Sequence, residues 1–135
     1  MELQTKQPST RGPVETCTGD VRYDVITPAS DYPRLRVNVV RFVVRFAPGA
    51  RTAWHCHPGG QTLYVTEGRG LAQSRGGPII EIRPGDVIYT PPGEWHWHGA
   101  APDHFMSHIA MWEVDDQGNS ASRGAHVTDE EYAAA

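Results

Sequence analysis

Short stretches in which apolar and polar residues alternate follow one another along this chain, each closed by a turn rich in glycine or proline. The longest is Arg36–Phe46, where Val40, Phe42, Val44 and Phe46 share one face of a period-two pattern and Arg41 and Arg45 share the other. The first set is expected to point inward. Further strands are predicted at 21–26, 51–57, 62–66, 71–73, 79–82, 87–90, 94–98 and 105–114, parted by turns such as Ala47-Pro48-Gly49, Pro58-Gly59-Gly60, Arg83-Pro84-Gly85-Asp86 and Pro91-Pro92-Gly93. Helical periodicity is absent until the end, where Thr128-Asp-Glu-Glu131 has the form of a capping box opening a short helix. Without βαβ alternation, the pattern predicts an all-β, antiparallel sandwich or barrel.

Composition fits that reading. Fourteen glycines and eleven prolines in 135 residues suit many short strands, and the length suits one domain. Within it we expect an N-terminal arm or first strand over 1–20, a barrel over 21–115, and a C-terminal loop and short helix over 116–135. A net charge of −4 argues against nucleic acid as partner, and a small-molecule substrate is expected. No apolar run approaches the length of a membrane span, and the N-terminus lacks the apolar core of a secretory signal, so a cytoplasmic location is expected. Cys17 and Cys56 fit reduced thiols rather than a disulfide framework.

The chemistry concentrates in Gly49–Gln61. His55 and His57 lie two apart on a predicted strand, so both imidazoles leave one face, and the Pro-Gly-Gly turn returns Gln61 beside them. His96 arrives from another strand. Three imidazoles and an amide oxygen converging on one point suit a first-row metal ion with open positions. His98 shares the face of His96, and His108, Ala110 and Trp112 share a face of the last strand, so His98 and His108 are candidate pocket residues. The intervening Trp54, Cys56, Trp95 and Trp97 are expected to face away from the site. There Trp54 and Trp97 could serve a subunit interface.

Written out, Gly49-x5-His55-x-His57-x3-Gln61-x6-Gly68 and Gly85-x5-Pro91-x-Gly93-x2-His96-x3-Ala100 resemble the two motifs of the cupin superfamily. The pattern departs where Gln61 stands in place of the usual Glu and Ala100 in place of a frequent Asn. The resemblance implies a single-domain antiparallel barrel of jelly-roll type. It also implies that His55, His57, Gln61 and His96 are ligands to a divalent transition metal, and that the chain forms a homodimer or homotetramer. A neutral glutamine leaves the ion its full charge, which favours Lewis-acid over redox chemistry. The donor set alone admits Mn, Fe, Co, Ni, Cu or Zn.

A narrower resemblance runs from about residue 11 to residue 132. The runs Phe46-Ala-Pro-Gly-Ala-Arg-Thr-Ala-Trp-His-Cys-His-Pro-Gly-Gly-Gln-Thr-Leu63 and Pro92-Gly-Glu-Trp-His-Trp-His-Gly-Ala-Ala-Pro102 are similar to the manganese-dependent cupin hydroxynitrile lyases of soil bacteria. That family implies manganese as cofactor and reversible cleavage of an aromatic cyanohydrin to an aldehyde and cyanide. His98 and His108 match its two further pocket histidines, which makes His108 the candidate general base and His98 a stabiliser of departing cyanide. Phe42 and Trp112 replace a small residue and a glutamine of that family, so with Val44 they form a bulkier pocket wall and a tighter fit for mandelonitrile is expected. The competing functions are an iron-dependent dioxygenase, an isomerase, cyclase or dehydratase acting on a small oxygenated metabolite, and a non-catalytic binding protein.

Overall fold

The computed structural model describes residues 1, 3, 5–27, 39–113 and 121–134, without the side chains of 27 and 39–41. Its strands are β1 (Thr10–Arg11), β2 (Cys17–Thr18), β3 (Val21–Thr27), β4 (Val39–Phe46), β5 (Arg51–Thr52), β6 (His55–Cys56) and β7 (Gln61–Gly68). They continue as β8 (Gly70–Ser74), β9 (Ile79–Ile82), β10 (Val87–Thr90), β11 (His96–Ala100), β12 (Met106–Glu113) and β13 (Ser122–Arg123), followed by helix α1 (Asp129–Ala133). The alternating runs therefore form strands where expected, and the early part of the Arg36–Phe46 stretch, with the side chain of Val40, lies outside the described residues.

Two curled antiparallel sheets face each other as a jelly-roll barrel. One has the order β1-β3-β4-β12-β7-β10, and the other runs β13-β6-β11-β5-β2 with the β8–β9 hairpin joined to β11. Every pairing among the described strands is antiparallel. Between the sheets, Val21, Phe46, Ala50, Val65, Ala72, Ile82, Ala100 and Met106 form the core. Removing that much apolar surface from water is the main stabilising contribution. Gly99 lets β11 cross β5 closely, because a Cβ there would lie 2.4 Å from the Ala50 carbonyl oxygen.

The expected continuous strand 51–57 is broken. Gly99 pairs with Arg51 and His96 with His55, so between these pairs three residues of one strand oppose two of the other. The extra residue is a bulge at Ala53–Trp54, whose amides turn instead to the carbonyls of Thr16 and Ala125. The bulge flips the face: Thr52 and His55 both look into the barrel, while Arg51 looks out.

Outside the second sheet, Trp54, Leu71, Trp97, Val127 and Tyr132 form a second cluster under α1. Trp54 and Trp97 do face away from the site, but the chain's own C-terminal segment covers them, and Trp97 is fully buried. They are not free for a subunit interface. The capping box forms as predicted, with Thr128 and Glu131 exchanging side-chain and backbone hydrogen bonds.

Candidate metal centre

His55 comes from β6, His57 from the turn that follows, Gln61 from the start of β7, and His96 and His98 from β11. The turn is tight because Gly60 has φ +78° and its amide bonds to the His57 carbonyl. A Cβ at Gly60 would lie 2.8 Å from the Thr90 carbonyl oxygen, so only glycine brings Gln61 back this closely. All of His55, His57, Gln61, His96, His98 and His108 are buried.

Ligand atoms of His55, His96 and His98 lie within 4.8 Å of one another. Gln61 Oε1 is 2.8 Å from His96 Nε2. The ring of His57 flanks this group, 5.2 Å from that of His55 and 5.9 Å from that of His96. Four imidazoles and an amide oxygen therefore crowd one spot, with no carboxylate among them. His98 is drawn into the group more closely than its sequence position suggested.

The outer hydrogen bonds fix the tautomers. His55 Nδ1 lies 2.8 Å from the Ala53 carbonyl oxygen and His96 Nδ1 lies 2.9 Å from that of Glu94. A carbonyl only accepts, so each Nδ1 carries the proton and each Nε2 presents a lone pair to the centre. The bulge thus has a chemical use, since it aims the Ala53 carbonyl at its own neighbour's ring. Burial, and next the facing His96, push the His55 pKa down to about 3. Burial likewise lowers His96. The rings are neutral near pH 7, as metal binding by imidazole requires. The donor set of neutral imidazoles and an amide oxygen, with its fixed tautomers, fits a divalent transition ion.

Behind this group His98 and His108 form a pair, with His108 Nε2 and His98 Nδ1 3.0 Å apart. Burial and then the neighbouring His108 hold the His98 pKa well below its ordinary value. Burial pushes His108 down to about 4. Two neutral imidazoles sharing one hydrogen bond can pass a proton along it by exchanging tautomers.

A cavity of about 360 Å³ opens onto the pair and onto His55, His57 and Gln61. Phe42, Val44 and Trp112 line it. Phe42 and Trp112 stack with centroids 4.9 Å apart at 25°, so their bulk lies flat along the wall. The remaining volume falls within the usual range for small-molecule sites. Gly12, Pro13, Thr16 and Cys17 of the N-terminal arm, with Tyr23, Thr52 and Arg123, also line the cavity. Sequence reasoning missed these residues. Thr52 needed the bulge to face inward, and the arm's role depends on long-range pairing of β2 with β5. The remaining histidines, His104 and His126, are exposed.

Residues 42–107 match the cupin domain family. The (R)-mandelonitrile lyase of Granulicella tundricola is 52% identical over 126 residues, covering 93% of this chain and 92% of that protein. The chain belongs to the cupin family. Among solved structures, a cupin-like protein from Thermotoga maritima is 37% identical, with a TM-score of 0.84 over 98% of this cupin and 95% of that chain. A polyketide cyclase from Streptomyces resistomycificus, 18% identical with a TM-score of 0.71 over 98% and 90%, shares the fold alone. The buried histidine group makes this a metal-dependent cupin, and the relationship to a lyase across nearly the whole chain makes it an enzyme of lyase type. No described helix is long and apolar enough to cross a membrane.

Proposed function

We propose that this cupin is a hydroxynitrile lyase that cleaves and forms aromatic cyanohydrins, with His55, His57, Gln61 and His96 holding one divalent ion, manganese by preference. The observation that carries the reading is the neutral, buried His98–His108 pair, which lines the same cavity as the metal-binding group. The identity to an (R)-mandelonitrile lyase supports the substrate class. When bound, the ion supplies a Lewis acid that makes a nearby hydroxyl more acidic.

The chain's own residues do the rest. Phe42, Val44 and Trp112 offer an apolar wall against which an aromatic ring can lie. His108 is neutral near pH 7 and is the base we assign to the hydroxyl proton. As that proton leaves, the O–H electron pair becomes the second bond of the aldehyde carbonyl. The carbon–nitrile bond breaks and its electrons depart with cyanide. The proton then passes through the His98–His108 hydrogen bond to cyanide, which leaves as hydrogen cyanide; both imidazoles are then neutral in the exchanged tautomers, and proton exchange with solvent after product release resets them. Burial of the pair excludes water that would compete for the proton.

The test is to incubate manganese-loaded protein with (R)-mandelonitrile with and without oxygen, measuring benzaldehyde and cyanide. Equimolar release of both, indifferent to oxygen, is expected. No release would refute the lyase reading, and oxygen-dependent turnover would favour a dioxygenase.

A further inference from the structure

A second cavity, of about 220 Å³, shares His98 with the first and otherwise has a lining of its own. Its wall includes Leu63, Ala72, Ile80, Ile88 and Tyr89, and β11 borders it at positions 96–98, with His96 and His98 on the inward face. His98 borders both cavities, whereas His55, His57 and Gln61 face only the larger one. The opening follows from topology. Among the described residues β9 pairs with β8 and β10 with β7, but β9 and β10 do not pair with each other, so the two sheets leave a gap there. Exposure falls from rim to floor: Tyr89 is 63% and Ile80 46% exposed, whereas Leu63 is 1% and His98 4%.

We propose that this gap is a second portal, through which a small uncharged ligand reaches the histidine group independently of the aromatic one. The lining carries no Asp, Glu, Lys or Arg; Ser74 and Thr90 add hydroxyls to an otherwise largely apolar wall, and the Gln73 amide within it is already committed, its oxygen to Trp97 Nε1–H and its nitrogen to the Gly77 carbonyl. Ions and strongly polar ligands find little to replace their hydration along such a path. The volume lies below the usual range for sites that hold ring-sized ligands. On the lyase reading, on which this choice of ligand rests, the species that fits is hydrogen cyanide, a weak acid that is neutral near pH 7. A separate route lets it leave while the aromatic aldehyde still fills the larger cavity.

The portal is tested at its rim, away from the catalytic groups. Ile80→Trp narrows the mouth and Tyr89→Ala widens it. Cyanide binding to cobalt-loaded protein is followed by stopped-flow absorbance, and xenon-pressurised crystals report the cavity without metal or turnover. The portal requires xenon in the second cavity of the wild-type protein and its loss in Ile80→Trp. It also requires that Ile80→Trp slow cyanide association and dissociation together by about tenfold, at the low end of the spread among single-site variants. Tyr89→Ala speeds both, and benzaldehyde binding is unchanged throughout. Equal cyanide rates in all three proteins would overturn the portal even if mandelonitrile is cleaved. Altered rates without mandelonitrile cleavage would uphold the portal and refute the lyase reading.

Discussion

Gln61 Oε1 sits 2.8 Å from His96 Nε2, so whatever charge position 61 carries is felt directly where the ion would bind. A Gln61→Glu variant adds a negative charge there. It is expected to bind manganese more tightly and to cleave mandelonitrile about 10- to 100-fold more slowly, because the ion pulls less on the hydroxyl oxygen. Metal titration and kcat together check this. At the other end of the site, His108→Phe should retain the metal while kcat falls by about 10²- to 10⁴-fold, the usual worth of a positioned base. His108 also has a signature in stability. Its folded pKa of about 4 lies below the ordinary value of 6.5, so the unfolded chain binds the proton more readily. Its contribution is intact above pH 6.5 and is lost as pH falls toward 4, by about 3 kcal/mol. Urea unfolding of metal-free protein across that range should show this loss together with those of the likewise depressed His55 and His98, and His108→Phe should make the dependence shallower by the share of His108. The histidines stood out in the sequence because their two-residue spacing and the two cupin-like motifs pointed to the same residues. Thr52 did not, since its face depends on one inserted residue that no spacing rule marks.

At the scale of elements, the strand pattern and the capping box could be read directly, but how the C-terminal helix is held could not. Arg51 is only 5% exposed and donates to the Val127 carbonyl and to Asp129, and its guanidinium lies 4.5 Å from the Tyr132 ring centroid. Tyr132 in turn donates to the Ala100 carbonyl at 2.7 Å. A lone arginine in a strand reads as a solvated residue, and only the bulge at Ala53–Trp54 turns it outward under the helix. Arg51→Met should cost about 2–3 kcal/mol, since it breaks charged hydrogen bonds and leaves a buried carbonyl unpaired. Tyr132→Phe should cost about 1 kcal/mol. Denaturant midpoints at constant m-value would measure both.

For the whole molecule, the two sheets were legible as a barrel because periodicity and turns agreed along the chain. The closure was not, because it depends on contacts distant in sequence: the N-terminal arm lines the cavity, and residues 122–134 cover Trp54 and Trp97. The same long-range packing places His96, from β11, against His55 and Gln61 from another part of the chain. The barrel's purpose, on this account, is to hold one metal ion at that junction. Elemental analysis of the purified protein and of His96→Ala tests this most directly. The account predicts close to one divalent transition metal ion per wild-type chain and its near-complete loss in the variant, and equal metal content in the two proteins would contradict it.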